Sequence, residues 1–147
     1  MNRYFNVLIL TLAVLLLASF PAGAAERPFS LTATGTLIDG VINASGRATH
    51  LGLFTESGTL SVVPDPNDPT RLLASGSVTF TAADGDQLDA LIEDAVVDVT
   101  TGVATGVFRF VGGTGRFEEA SGFGNLVVTQ NLATGAFEGV AVGKIDY

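Results

Sequence analysis

Cysteine and tryptophan are absent from the sequence, and histidine occurs once, at His50. Without cysteine the chain forms no disulfide, no thiolate metal site and no lipoprotein anchor. A Ser-His-Asp triad would have to use the single histidine, and there is no G-x-S-x-G motif to present a nucleophilic serine. The sequence therefore predicts no nucleophile–base constellation, no metal site and no cofactor.

Basic residues are also scarce. The chain has 7 lysines and arginines against 15 aspartates and glutamates, a formal net charge of −8. Such a charge repels nucleic acid and anionic lipid surfaces, so we expect neither as a partner. The glycines of Gly112–Gly115 do not form a phosphate-binding loop, because no Lys-Ser/Thr pair follows them.

Only one long apolar run is present, and it lies near the N-terminus. Arg3 precedes this run, Val7–Ala18, and the small residues of Ala22–Ala24 follow it. The run is shorter than a membrane-spanning helix and lacks stop-transfer charges, which is typical of a cleaved secretory signal peptide over residues 1–24. A retained N-terminal anchor is the alternative. Residues 25–147 have the length of one domain, which we expect to be secreted or periplasmic.

The rest of the chain alternates apolar or small residues with threonine and serine, the period of β-strands. The turn signals include Asp39-Gly40, Glu56-Ser57-Gly58, the proline-rich Pro64–Pro69, Asp84-Gly85-Asp86 and Asn131–Gly135. No linker or second domain is apparent. The strands predicted between these turns are residues 31–37, 46–55, 59–63, 74–82, 87–98, 103–111, 123–130 and 136–146.

One of these segments, residues 87–98, is ambiguous. Its apolar residues also fit a helical stripe, formed by Leu88, Leu91, Ile92, Ala95 and Val99. The valine-rich stretch Val96–Val99 favours a strand, and a helix here would interrupt a meander. We therefore predict a strand, with a helix as the alternative.

Eight antiparallel strands joined in order close most readily into an up-and-down β-barrel, because closure removes exposed sheet edges. One strand face repeatedly carries glycine, at Gly35, Gly76, Gly106, Gly124, Gly139 and Gly143. Alternating small and large side chains suit the interior of a small barrel, so this face is predicted to point inward. A barrel of this size has room for a filled core or for one small ligand.

The same rule predicts that His50 points into the lumen, because it lies an even number of residues from Gly46 and Ala48 and so on the same face of the predicted strand. It could act there as a general acid or base, orient a ligand, or be a neutral buried histidine without a further role. The predicted ligand-contacting residues are His50, Phe54, Phe80, Phe108 and Phe110.

The acidic residues of two turns are predicted to be solvated rather than to bind a cation, because their spacing does not match an EF-hand loop. They are Asp84, Asp86 and Asp89 in one turn and Asp65 and Asp68, with Asn67, in the other. Arg109 is predicted to point outward. Arg116 is expected to pair locally with Glu118 or Glu119, which contributes little on an exposed surface.

A family resemblance rests on the segment Gly112-Gly113-Thr114-Gly115-Arg116-Phe117 followed by Ala120-Ser121-Gly122. It resembles the GGTG-x-F-x-x-A-x-G signature of the allene oxide cyclase and dirigent barrels, and more closely that of small secreted bacterial proteins of this superfamily. The segments Ala48–Gly52 and Ala83–Leu88 are also similar to those bacterial proteins. The resemblance spans roughly residues 29–147. It implies a calycin-type eight-stranded barrel and an architectural corner built on Gly112, Gly113, Gly115, Phe117 and Gly122.

The resemblance does not imply one activity, since such families share a fold more readily than a function. The polar catalytic residues of plant allene oxide cyclases and the acidic and aromatic positions of dirigent proteins have no counterpart here. Related bacterial barrels include cyclases that act mainly by folding an apolar substrate, which depends on shape more than on reactive groups.

Three functional hypotheses follow. The first is a barrel that binds a small apolar ligand or serves as a scaffold. The second, of another class, is an isomerase or cyclase that uses His50 in the lumen. An outer-membrane barrel, suggested by the terminal Tyr147, is disfavoured by the absence of tryptophan and by the many outward threonines and serines.

The signal-peptide assignment makes a direct prediction. The exported protein should begin at Ala25 or Glu26, because the small-x-small site ends at Ala24. N-terminal sequencing of protein recovered from the periplasm or medium tests it. A start at Met1 would instead mean that the apolar run is retained as an anchor.

Overall fold

The computed structural model describes residues 25–147. The predicted signal peptide and its cleavage site lie outside the described residues. The strands are β1 (Arg27–Ile38), β2 (Val41–Ala48), β3 (Gly52–Asp65), β4 (Asp68–Ala82), β5 (Gln87–Asp98), β6 (Val103–Gly113), β7 (Ser121–Gln130) and β8 (Ala136–Asp146). A short 3₁₀ turn, Gly115–Phe117, lies between β6 and β7.

These strands form one closed barrel in which each pairs antiparallel with its sequence neighbours. Strand β1 also pairs with β8, in a register that runs from Arg27 opposite Ile145 to Thr36 opposite Ala136. The prediction of an eight-stranded antiparallel up-and-down barrel is therefore confirmed.

The two ends of the barrel differ. The β2–β3, β4–β5 and β6–β7 connections meet at one end, which we call the closed end, and its core residues Leu88, Phe117 and Ile145 are each 0% exposed. The other four connections form the opposite end, which we call the open end. The exposed side chains of Val62 and Leu132 lie there.

The glycine-bearing face points inward, as predicted. Each of the six glycines shares its strand face with buried core residues, for example Gly35 with Ala33 and Gly106 with Phe108. Large phenylalanine side chains alternate with these small residues. This pattern leaves the lumen unevenly filled along its axis.

Strand β3 differs from the sequence prediction. Residues 46–55 were expected to form one strand and Glu56-Ser57-Gly58 a turn, but β2 ends at Ala48 and β3 runs without interruption from Gly52 to Asp65. The actual turn is Thr49–Leu51, in which His50 has a φ of 69°. Cross-strand pairing of Ser57 with Asn43 and Thr79 holds this polar segment extended.

The ambiguous segment is strand β5, so the strand prediction is confirmed. A β-bulge explains its helix-like spacing. Between Ile92 and Ala95 the strand has one residue more than each of its neighbours, and Asp94 there adopts a φ of 49°. The inward residues are consequently two apart, then three apart, and then two apart again.

The glycine corner is also a structural element. Gly112, with a φ of 108°, lies in a second bulge, where β6 has an extra residue opposite β5. Gly115 has a φ of 57°, and Phe117 follows it into the core. Residues with a side chain disfavour these conformations, which explains why glycine occupies both positions.

The outer surface carries threonines and serines but also exposed apolar side chains. The most exposed of these are Phe123, Leu53 and Val142, at 60–62% exposure. Among residues 25–147, no helix is long and apolar enough to cross a membrane.

A pair of glycine substitutions tests the role of close backbone contact at the corner. A methyl group at Gly113 would overlap the backbone oxygen of Gln87, whereas one at Gly139 would lie 3.2 Å from a methyl of Val128. We expect Gly113→Ala to lower the free energy of unfolding by about 1–3 kcal/mol, the usual cost of overpacking. Gly139→Ala is the matched control and should cost less, by urea denaturation. Equal losses would show that the corner is not a site of unusually close contact.

Candidate functional site

A cavity of about 130 Å³ occupies the open half of the lumen. Its wall is built from the inward aliphatic residues of the strands, including Leu60, Val78, Val97 and Leu126. The lumen is therefore not packed solid. An apolar concavity of this kind is where a barrel of this size holds a ligand.

The closed half of the lumen is filled by aromatic rings. Phe29, Phe108 and Phe110 pack against one another with ring centroids 4.9–5.9 Å apart. Phe54 meets Phe80 edge-on at 5.4 Å. A residual space of about 70 Å³ is lined by Phe80, Phe108 and Phe110. Four of the predicted ligand-contacting residues therefore lie inside the barrel, where their side chains mainly pack against one another.

Glu56 lies on the boundary between the two halves and lines both spaces. It follows Phe54 by two residues on β3, so it faces inward. Its direct cross-strand neighbours are Ala44 and Phe80, neither of which offers a side-chain hydrogen-bond donor. Among the residues that line the two spaces, Glu56 is the only one with an ionisable side chain.

The electrostatic state of Glu56 is unusual. Burial raises the pKa of its carboxyl group from 4.5 to about 7. Desolvation disfavours the ionised form, and within residues 25–147 no hydrogen bond or ion pair to the carboxyl offsets it. The group is therefore poised to gain or lose a proton near neutral pH. The sequence gives no sign of this site, because Glu56-Ser57-Gly58 resembles a turn.

Gln130 is a second polar residue of the cavity wall. Its side-chain amide donates a hydrogen bond to the backbone oxygen of Leu37 at 3.4 Å. No described residue donates to its amide oxygen, which remains an acceptor. The cavity thus combines an apolar wall with two groups that can accept hydrogen bonds.

His50 does not point into the lumen, which corrects the prediction made for it. It belongs to the β2–β3 turn at the closed end, where strand alternation no longer applies. Its Nε2 lies 2.9 Å from the backbone oxygen of Pro28, and its Nδ1 lies 3.1 Å from the hydroxyl of Tyr147. A carbonyl oxygen can only accept, so Nε2 donates. This half-buried histidine ties the chain's last residue to the barrel and is remote from the cavity.

Arg116 also has a different partner from the one expected. It pairs with Asp84 and with Asp86, the latter at 2.8 Å, rather than with Glu118 or Glu119, and it donates to the backbone oxygen of His50 at 3.1 Å. The hydrogen bond from Arg116 holds the pKa of Asp84 below its usual range. The arginine thereby joins three connections of the closed end.

The remaining predicted polar residues are structural. Arg109 points outward, as predicted, and pairs with Glu93 at 3.0 Å. Asp89 accepts a hydrogen bond from Thr79, and Asp68 accepts from Thr70. In the part of the chain that the structure describes, no three histidine or acidic side chains cluster as metal ligands would.

A larger concave region, about 910 Å³, lies on the outside of the barrel over β1, β2, β3, β7 and β8. Its outward side chains include Thr32, Arg47 and Glu138. It is an open surface rather than an enclosed space. The lumen, and not this surface, is therefore the candidate site.

The comparisons with known proteins assign no family: the sequence matches no protein-family model and no curated protein. The candidate site therefore rests on the geometry of the lumen.

The raised pKa of Glu56 predicts how stability depends on pH. The unfolded carboxyl titrates near 4.5 and the folded one near 7, so the folded state retains a proton that the unfolded chain releases between these values. The stabilisation that this retained proton gives to the folded state is fully present below about pH 4.5, and it is lost as the pH rises through 7. At about 1.4 kcal/mol per pKa unit, the loss is about 3 kcal/mol.

Glu56→Gln removes this titration. We expect the unfolding free energy of the variant, relative to the parent, to rise by about 3 kcal/mol between pH 4.5 and pH 8. Glu138→Gln on the outer face controls for the change in net charge. Parallel pH profiles for parent and Glu56→Gln, from urea denaturation, would contradict a desolvated carboxyl with a raised pKa at position 56.

Proposed function

We propose that the protein binds a small apolar molecule in the open half of the barrel lumen. The observation that carries the proposal is the 130 Å³ cavity, whose apolar wall includes a half-buried carboxyl group without a partner among the described residues. A barrel serving only as a scaffold would gain stability from filling this space and from replacing the glutamate.

The size of the cavity bounds the ligand. An apolar protein cavity of about 150 Å³ accepts a benzene molecule. The space here, together with the smaller one that Glu56 also lines, therefore suits a molecule of about one ring, or a short branched chain. Larger molecules would have to extend through the open end past Val62 and Leu132.

We also propose that the barrel works outside the cytoplasm. Support comes from the signal-peptide pattern of residues 1–24. The proposal of membership in the allene oxide cyclase and dirigent superfamily is supported by the glycine corner, whose positive φ values and buried Phe117 give the motif an architectural reason.

A second candidate is an isomerase or cyclase that uses the lumen. It is favoured by the position of Glu56, which lines both spaces of the lumen, where desolvation raises the pKa of its carboxyl group to about 7, because a general acid or base works best near the ambient pH. His50 loses this role, since it lies at the closed end. In this second candidate Glu56 exchanges a proton with the substrate, and Glu56→Gln should abolish turnover while the apolar ligand still binds.

The binding proposal is tested by filling the cavity. Ala104 lines the cavity from β6, and the next residue, Thr105, faces outward. We expect toluene to bind the parent, detected by NMR shifts of the cavity methyl groups. Ala104→Phe should weaken this binding by at least about tenfold, because the new ring occupies the site.

Native mass spectrometry of protein from its own host would look for the natural ligand.

Thr105→Phe is the matched control, since it adds the same ring on the outside of the same strand. It should leave toluene binding unchanged. If toluene shifts no cavity resonance in the parent, or shifts them equally in Ala104→Phe, the lumen is not a binding site.

A further inference from the structure

We propose that the molecule held in the lumen is a small lipophilic amine, whose ammonium group pairs with the carboxylate of Glu56. This inference rests on the binding function proposed above and names the chemical class of the ligand. It follows from the contrast between Glu56 and the other acidic residues of the barrel, and from the polar groups that the cavity presents.

Several surface carboxylates of the barrel have a partner. Glu93 pairs with Arg109, Glu26 pairs with Lys144 at 3.0 Å, and Asp84 pairs with Arg116. Glu56 has no such partner among the described residues, and it differs from unpaired surface carboxylates such as Glu138 because it lies inside the barrel, where a partner matters most. A carboxyl group removed from water without a compensating contact costs stability, whereas exposed pairs contribute little.

The described residues of the cavity wall offer no positively charged partner for this group. The residues lining the two spaces include no lysine, arginine or histidine. The neighbouring strands present an alanine methyl and a phenylalanine ring to it. A ligand that carries a positive charge would therefore supply the ion-pair partner that the cavity wall lacks.

The polar groups of the cavity determine the kind of ligand. Ionised Glu56 and the amide oxygen of Gln130 are both acceptors, so a ligand that donates hydrogen bonds fits better than one that only accepts them. The net charge of −8 attracts cations to the protein and repels anions. A small apolar molecule with an ammonium group provides hydrogen-bond donors, a positive charge and an apolar surface.

The test uses three probes of nearly equal size: toluene, benzyl alcohol and benzylamine, the last of which is protonated throughout the pH range used. Binding to the folded protein is measured by isothermal titration and by NMR at pH 8 and pH 5. At pH 8 the carboxyl is largely ionised. We expect benzylamine to bind at least about tenfold more tightly than toluene there, the scale of one charge-assisted hydrogen bond.

The preference should depend on Glu56 and on its ionisation. Lowering the pH from 8 to 5 protonates the carboxyl, so benzylamine should lose its advantage while toluene does not weaken. Glu56→Gln should remove the preference at pH 8 and retain toluene binding. Glu138→Gln removes the same charge from the outer face and should leave the preference intact.

A measurement on the parent protein guards against a variant that fails to fold. The Glu56 carboxyl carbon can be titrated by NMR with each probe bound. Bound benzylamine should lower the pKa of Glu56, because a cation favours the ionised form, whereas bound toluene should not lower it.

The outcomes separate this inference from the proposed function. If toluene binds in the cavity and benzylamine shows no advantage at pH 8, the amine proposal is overturned and the binding function stands. Tighter binding of benzyl alcohol at pH 5 than at pH 8 would also overturn it, in favour of a neutral ligand that accepts from the protonated acid. If none of the three probes binds, both proposals fail.

Discussion

The pairing of β1 with β8 is the constraint on which the rest of the structure depends. It satisfies the backbone hydrogen bonds of both terminal strands and leaves no sheet edge. Closure also fixes the circumference of the barrel, so the inward side chains must fill a given volume or leave part of it empty. Here the phenylalanines fill the closed half, and the aliphatic residues and glycines of the open half do not. The cavity is thus a consequence of how residues of different size are distributed along one closed sheet.

Much of this architecture could be predicted from the sequence, because it follows from local alternation. The eight strands, their order and the inward direction of the glycine face depend on period-two patterns and on turn residues such as Asp39-Gly40, whose φ values of 52° and 78° suit a tight hairpin. Strand β5 could be predicted only as the better of two alternatives. Its bulge at Asp94 places apolar residues three apart, a spacing that a helix shares.

The candidate site was harder to predict, for a physical reason. Pairing with β2 and β4 decides whether Glu56-Ser57-Gly58 forms a turn or continues the strand, and most of their residues are distant from it in sequence. Local preference favoured the turn, and the two ladders overrode it. The same error displaced His50: counting alternation through residues 46–55 placed it in the lumen, although the strand ends at Ala48. One misplaced turn therefore concealed the inward carboxyl of Glu56 and wrongly assigned to the lumen a histidine that belongs to the closed end.

The bulge in β5 has a consequence for how such a barrel could diversify. The extra residue, Asp94, bends the strand, but the side chains before and after it still reach the lumen. Loss of that single residue would return β5 to regular alternation and leave Ile92, Ala95 and Val97 facing inward. Different residues of β5 thus determine which side chains line the cavity and how the strand bends. An insertion or deletion in this strand could reshape the cavity without exchanging any residue that a ligand touches.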